Sequence, residues 1–410
     1  MSRIAVGLGL GLALAAARAH AVEVDYGDWK LDLSANLREI VTESRDLDAG
    51  DLPLDPNAPV PLRSMLLATT RARLQLEARY GDHWTGQIVY DNELFLGTGR
   101  DSLAFRLAEQ LGAPTWLDLD HTIADSRDAT WRHLLYRGWV RYQADALEVT
   151  VGRQRIALGR AQLWNPTDLF NPIPPLAVER DQRIGVDAAL ARVRLRDDLW
   201  AAAIFAPGVN DQNPSSAFRL ELSRRELDGA LMFALIDRDR VAGLDFSANV
   251  RDAALRGEFT ETWHFAGRAT LQAVVSLDYT FPLGTGLYGL VEHFYNQNVA
   301  PRDSFNAALL ADVGLQRLAA RFLSPTQITT VSRNQTGVEL GYDLTPLLRA
   351  NCLWIHDWNG PSEAFAPSLS WSPRSDLELS GGVQLFGGGA GSGEYGGLSP
   401  LYFLRADVYF

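Results

Sequence analysis

The chain has 410 residues, 47% hydrophobic and 21% charged, with a formal net charge of -12 at pH 7. The acidic balance excludes a typical nucleic-acid binder and the apolar content excludes a disordered chain. Beyond the N-terminal segment no apolar run reaches the roughly 18 residues that a membrane-spanning helix needs, and the single cysteine, Cys352, leaves neither a disulfide framework nor a CxxC metal site.

The chain begins "MSRIAVGLGLGLALAAARAHA", with Arg3 near the tip, an apolar stretch from Ile4 to Ala17 and an Ala19-His20-Ala21 triplet. This pattern predicts a secretory signal peptide over 1–21, with 22–410 as the mature domain. An N-terminal anchor is the alternative, but the stretch is short for a span and "VEVDYGDW" follows at once. At 70–80, "TRARLQLEARY" sorts Ala72, Leu74, Leu76, Ala78 and Tyr80 from Arg71, Arg73, Gln75, Glu77 and Arg79. Alternation of this kind belongs to a strand with one face in an apolar medium. Next, "DSLAFRLAEQLG" spaces Leu103, Leu107 and Leu111 for a short amphipathic helix capped by Asp101 or Ser102. The strand predicted over 131–144 carries Arg137 and Arg141 on its polar face.

The segment 157–182 is rich in proline (Pro166, Pro172, Pro174, Pro175) and unusually apolar for a loop, with Leu163, Trp164, Leu169, Phe170 and Ile173 beside Asp168, Glu179, Arg180 and Asp181. Proline suits an extended loop rather than a ladder. Two placements are open: folded into a lumen as a constriction, or packed over the outer mouth. In the strand predicted over 183–196, Ile184, Val186 and Ala188 share a parity that Val193 and Leu195 do not. If apolar residues face lipid, a β-bulge near 189–191 is expected, placing Arg192, Arg194 and Arg196 inward. "RATLQAVVSLDYTF" keeps its apolar face through seven alternate positions from Ala269 to Phe281, longer than an ordinary globular strand. "SFNAALLADVGLQRLAARF", from Ser304, predicts a second loop helix. The chain ends "LYFLRADVYF", alternating to its terminal aromatic, Phe410.

About eighteen strands are predicted, with sixteen as the alternative count. Their connections alternate between tight turns, such as 81–82, 282–285 and 345–346, and longer loops at 42–66, 95–130, 157–182 and 299–333. Short turns at one end, long loops at the other and both termini at the short end predict an all-β fold. It is a transmembrane antiparallel up-and-down β-barrel of the bacterial outer membrane, with short helices in its extracellular loops. A closed barrel leaves no unpaired edge in hydrocarbon, so its last strand must reach the end of the chain.

The run "VGRQRIALGRAQLWNPTDLFNPIPPLAVERD" (151–181) joins Gly152-Arg153-Gln154 to Gly159 and Asn165-Pro166-Thr167-Asp168, and "GGVQLFGG" followed by "EYG" comes near the C-terminus. These segments resemble outer-membrane porin-like families related to the alginate-export barrels. The resemblance implies an eighteen-stranded, monomeric barrel that conducts small or polymeric solutes. Phe410 is similar to the terminal aromatic by which the barrel-assembly machinery recognises its substrates.

The leading expectation is a channel for passive diffusion of small hydrophilic solutes, anionic or sugar-like in character. An outer-membrane conduit for alginate-like polysaccharide export stands beside it, and a barrel closed by its loops, serving adhesion or structure, is a third reading. Pore-lining candidates are Arg71, Arg73, Arg79, Arg137, Arg141, Arg192 and Arg194, either free to attract anions or paired internally with Glu77, Glu148, Asp187 and loop acids. Constriction-loop candidates are Trp164, Asn165, Asp168, Phe170, Glu179, Arg180 and Asp181. Enzymatic motifs are missing: "GTGLYG" at 284–289 falls on a strand-to-strand turn, and there is neither GxSxG nor HExxH. No catalytic activity, cofactor or metal is expected. The expected partners are outer-membrane lipid, lipopolysaccharide, the assembly machinery and the solutes themselves.

Overall fold

The computed structural model describes residues 21–51, 62–111, 115–183, 185–209, 213–265, 267–299, 328–389 and 392–410. Positions 1–20 of the expected signal peptide and the helix expected from Ser304 lie outside them. Strands β1 (Val22–Tyr26), β2 (Trp29–Leu47), β3 (Leu62–Tyr80) and β4 (Trp84–Leu96) lead through helix α1 (Leu103–Leu111) and the short β5 (Asp120–Asp125). Then come β6 (Ala129–Gln143), β7 (Leu147–Gln154), β8 (Val186–Arg196), β9 (Leu199–Ala206), β10 (Ser215–Arg224), β11 (Leu227–Ile236) and β12 (Asp239–Val250). The chain finishes with β13 (Ala253–Trp263), β14 (Ala269–Phe281), β15 (Leu287–Asn296), β16 (Asn334–Thr345), β17 (Leu348–Asp357), β18 (Ser362–Arg374), β19 (Leu377–Gly387) and β20 (Leu401–Tyr409).

Antiparallel pairing passes from each strand to the next, with β4 joined directly to β6, and β20 returns to β2 from Asn36↔Tyr409 to Glu43↔Tyr402. The result is a closed barrel of eighteen strands. Leu74, Leu231, Phe233, Val275, Leu277, Val291 and Leu404 are exposed on its outside, whereas Asp245, Glu258, Gln272, Ser276, Glu292 and Asp407 are buried within. This inverts a soluble protein and matches a barrel whose outer face meets hydrocarbon. Exposed Trp29, Tyr80, Trp84 and Trp371 ring the short-turn end, and Trp131, Trp263 and Trp358 the opposite rim, as aromatic girdles do at membrane interfaces.

The terminal residue is part of this closure. Phe410 N–H donates to Ala35 O at 2.8 Å, and Ala35 N–H donates to Phe410 O at 3.2 Å. Immediately beyond, the same edge of β2 is taken over by β1, from Val22↔Leu33 to Tyr26↔Trp29. β1 and the C-terminal residues therefore share one edge of β2. β5 solves a similar problem: β7 stops at Gln154, opposite the inner part of β6, and β5 covers the outer part from Asp120↔Leu134 to Asp125↔Thr130. β1 falls on the strand-like "VEVDYGDW", whereas β5 was not among the expected strands. In the loop before β5, Ser102 Oγ accepts the Phe105 N–H at 3.2 Å and so caps α1.

One expectation is corrected. β8 pairs with β7 in unbroken register from Val186 to Val193, and its irregularity lies later, between Arg194 and Arg196 against β9. No phase change is needed near 189–191, because Val186, Ala188 and Leu190 face inward and pack against Ile156 and Leu158 of the loop that follows β7. Much of the inner wall is apolar for the same reason. Val274, Leu290, Phe294, Leu353 and Ile355 form a core with Ala161, Leu163 and Trp164, while Met232, Ile236 and Val241 pack on Leu169 and Phe170.

Candidate functional site

The connection after β7, over 155–183, lies inside the barrel and touches the wall almost all the way round. Its first half meets two buried carboxylates. Glu292 on β15 accepts the N–H groups of Gln162 at 2.8 Å, Leu163 at 2.9 Å and Trp164 at 2.8 Å. Glu258 on β13 accepts from Arg160 N–H at 2.5 Å, Ala161 N–H at 2.7 Å, Thr167 N–H at 3.1 Å and Thr167 Oγ1 at 2.8 Å. Successive backbone N–H groups make a concave nest for an anion, and here the wall supplies it. Arg160 Nε donates to Asp245 on β12 at 2.9 Å. Trp164, only 2% exposed, stacks on Phe294 with ring centroids 5.4 Å apart. Gly337 on β16 lies directly beneath, where a Cβ would collide with Leu163. Asn165 Nδ2 donates to Ala161 O at 2.6 Å and closes the turn.

Asp168 is the pivot between the halves. It accepts a close hydrogen bond from Arg183 Nη1, which ties the start of the loop to its end. Burial pushes its carboxyl up to about 6, although Arg183 acts in the opposite direction. Between them the chain runs through Pro172 and Pro174 into a turn at Pro175–Leu176, closed by Ala177 N–H on Pro174 O at 3.1 Å, and Leu176 O accepts Gln384 Nε2 of β19 at 2.8 Å.

The second half faces a wall of arginines. Glu179 accepts from Arg38 Nη1 at 2.9 Å and Arg71 Nη1 at 2.6 Å. Asp181 accepts from Arg38 Nη2 at 2.8 Å and Arg405 Nη1 at 3.3 Å. Gln182 Oε1 accepts Arg73 Nη1 at 2.7 Å, and Arg183 O accepts Arg137 Nη2 at 2.6 Å. Burial pushes the Asp181 carboxyl up, but the Gln182 amide and the guanidinium groups of Arg38 and Arg405 outweigh it and hold it at about 2. Burial acts on Glu179 likewise, and Arg71 and Arg38 again win, lowering it. Arg180 points away from this wall: its Nη2 donates to Gln162 O, and burial lowers its pKa.

These arginines also have fixed partners on the strands. Arg71 Nε donates to Glu93 at 2.8 Å, Arg73 Nε to Asp91 at 2.6 Å, and Arg38 Nε to Asp407 at 2.5 Å. Arg73 and Arg137 flank the Tyr136 ring, 4.0 and 4.8 Å from its centroid. Nearer the short-turn end, Arg141 lies over Trp139, Arg192 and Arg194 lie over Trp200, and Arg192 pairs with Glu221 at 2.7 Å. Arg79, at the rim, pairs with Glu77 at 2.6 Å.

The structure thus brings Arg71, Arg73 and Arg137 together with Glu179 and Asp181, and keeps Arg79, Arg141, Arg192 and Arg194 below them. Arg38, Arg405, Glu258 and Glu292 were missed as site residues. For Arg38 the parity signal fails, because Glu39 and Ile40 interrupt the alternation after it. His264 bonds Asp239 at 2.7 Å and Thr270 at 2.8 Å. Among the described residues no cluster of three or more His, Cys, Asp or Glu is placed to hold a metal.

A closed barrel with an apolar outer band, aromatic girdles and a long loop turned inward is an outer-membrane β-barrel, and the chain is a protein of the bacterial outer membrane. No protein-family model and no curated protein matches the sequence. Solved structures do match. OprD of Pseudomonas aeruginosa is similar with a TM-score of 0.57 at 10% identity, over 93% of this chain and 95% of that one. OccAB1 of Acinetobacter baumannii is similar with a TM-score of 0.56 at 11% identity, over 94% and 97%. The outer membrane protein OpdK of Pseudomonas aeruginosa gives 0.53 at 11% identity, over 93% and 98%. Likeness at such identity establishes the fold. The expected kinship with the alginate-export barrels has no support among these structures.

Proposed function

We propose that the protein is an outer-membrane channel for passive diffusion of small hydrophilic solutes, anionic or sugar-like in character. The observation that carries this reading is the course of the loop: anchored on buried Glu258 and Glu292, it crosses the interior to the arginines of β2, β3, β6 and β20, which supports a channel narrowed by the loop and basic on one side. Likeness to the OprD and Occ porins supports it. Arg141, Arg192 and Arg194, set over Trp139 and Trp200, line the way onward, offering charge beside flat apolar faces suited to sugars and carboxylates alike. Export of an alginate-like polymer fits less well, because a loop fixed to opposite walls obstructs a chain wider than a small solute. On this reading the barrel works as a monomer in lipid and lipopolysaccharide, inserted by the barrel-assembly machinery with Phe410 as part of its signal.

The test is reconstitution. Purified protein in planar bilayers is expected to give discrete conductance steps, and proteoliposomes to swell in small sugars and organic anions with a sharp size limit. Failure of the intact barrel and of a variant lacking 171–181 to conduct or to swell liposomes refutes the channel reading.

A further inference from the structure

We infer that the second half of the interior loop is a displaceable lid, and that its Glu179 and Asp181 carboxylates occupy the arginine wall as a built-in competitor of incoming anions. The inference rests on the channel reading above and adds a regulation to it. The two halves of the loop are held by different physics. Residues 160–169 are fixed by backbone N–H groups on carboxylates that are 0% exposed, with Leu163, Trp164 and Leu169 sealed in apolar surroundings. Ions and solutes cannot reach those contacts. Residues 177–183 bring no buried apolar anchor of their own: Ala177 and Val178 are only half-buried, and the rest are polar. Arg183 is anchored on the buried Asp168, and what holds 177–182 is charge and polar bonding, through Glu179 on Arg38 and Arg71, Asp181 on Arg38 and Arg405, Gln182 on Arg73 and Arg180 on Gln162 O.

The side chains of Glu179 and Asp181 are 26% and 43% exposed while those of Arg38, Arg71 and Arg405 are 5%, 14% and 14%, so water reaches the carboxylates of the lid, and the guanidinium groups open to the passage only as the carboxylates leave. Such half-wet contacts feel dissolved salt, whereas the sealed contacts of the first half do not. The prolines at 172, 174 and 175 separate the two halves and Arg183 stays on the buried Asp168, so the stretch 177–182 can lift between these two fixed points, giving up the bond from Arg180 to Gln162 O. When the lid leaves, Arg38, Arg71 and Arg405 keep Asp407 and Glu93 as strand partners but each exposes guanidinium N–H donors toward the passage. The same residues that bind the lid then face the solute, so entry of an anion and departure of the lid are one exchange of partners.

The test measures single-channel conductance and reversal potential at 0.1 M and 1 M KCl for the wild type and for the Glu179→Gln/Asp181→Asn variant. The Debye length falls from about 10 Å to about 3 Å between these salts, so the wild-type lid is held at low salt and loosened at high salt. Wild-type conductance is expected to rise about threefold more than bulk conductivity across that range, and the variant to exceed wild type about threefold at 0.1 M while nearly matching it at 1 M. The variant should also be more anion-selective at 0.1 M. Wild-type conductance that rises only in proportion to bulk conductivity overturns the lid whether or not the variant assembles. A heat-modifiable variant that conducts no better than wild type at 0.1 M overturns it as well. In both cases the channel reading survives; a wild type silent at both salts overturns the lid, and it overturns the channel reading as well only when the variant lacking 171–181 is silent too.

Discussion

Replacing Glu292 with glutamine tests whether the nest of N–H groups holds the loop. The side chain keeps its shape, but one acceptor oxygen becomes an NH2 that meets donors. If it replaces Oε2, the bond from Gln162 N–H is lost; if it replaces Oε1, those from Leu163 and Trp164 are lost. Hydrogen bonds to a charged acceptor are worth about 1.5–3 kcal/mol, so losing one and weakening the others costs about 2–5 kcal/mol. At 1.4 kcal/mol per tenfold, even 2 kcal/mol makes release of the loop roughly 30-fold more frequent. Two readouts follow. Trypsin should cut the folded, heat-modifiable variant within the loop, at Arg155, Arg160, Arg180 or Arg183, far faster than wild type, and single-channel traces should become noisier. Glu226→Gln, in a turn at the other end of the barrel, is the control for loss of one charge. If Glu292→Gln is cut and conducts as wild type does, the carboxylate does not hold the loop.

Removing Phe410 deletes its two backbone bonds to Ala35 at about 0.5–1.5 kcal/mol each, and the heat-modifiable fraction recovered from outer membranes should fall. Gly337→Ala places a methyl against Leu163, and overpacking of about 1–3 kcal/mol should lower the urea midpoint and expose the loop to trypsin, with an unchanged midpoint counting against the close approach. Asp168, pushed up to about 6, binds a proton in the folded state between about pH 4 and pH 6 where the unfolded chain has lost it, so its contribution to stability falls as pH rises through that window. Releasing the loop into water would return this carboxyl to its ordinary range, so proton binding below about pH 6 favours the held loop: conductance noise should fall as pH drops through about 6, and Asp168→Asn should abolish that dependence. Cys352, pairing Leu340 on the lipid-facing parity, should react with a lipid-soluble maleimide and resist a charged thiosulfonate in the intact barrel; the reverse order would mean that the strand phase is wrong.

The barrel itself could be read from the sequence because its determinants are local. Alternation such as Leu74, Leu76 and Ala78 against Arg73, Gln75 and Glu77 survives in any strand with lipid on one side and polar surroundings on the other. Turns of two or three residues leave the chain no choice but to double back. What escaped were the places where the inner medium changes. Val186, Ala188 and Leu190 look like lipid-facing residues in the wrong phase, and a bulge was the economical explanation. They face an apolar loop instead, so the two-sided rule fails wherever the interior is filled by protein rather than water. β5 escaped for another reason: it exists to cover the outer part of β6, and that need arises only once β7 is known to stop at Gln154.

The loop shows the same limit more sharply. Its apolar residues and prolines marked 157–182 as a segment that would not hang in water, which is a statement about composition. Where it goes depends on partners drawn from β12, β13, β15, β19, β20, β2 and β3, far apart in sequence and each unremarkable alone. A glutamate at 258 or 292 looks like any inward polar residue; its meaning comes from the amides that converge on it. The division of labour between the halves follows from solvent access: carboxylates sealed from water give contacts that ions cannot contest, whereas carboxylates left partly wet give contacts that ions can. A channel that must keep its loop inside while letting anions past needs both kinds, and the order in which they occur along 160–183, sealed first and wet last, is what lets one part move while the other stays.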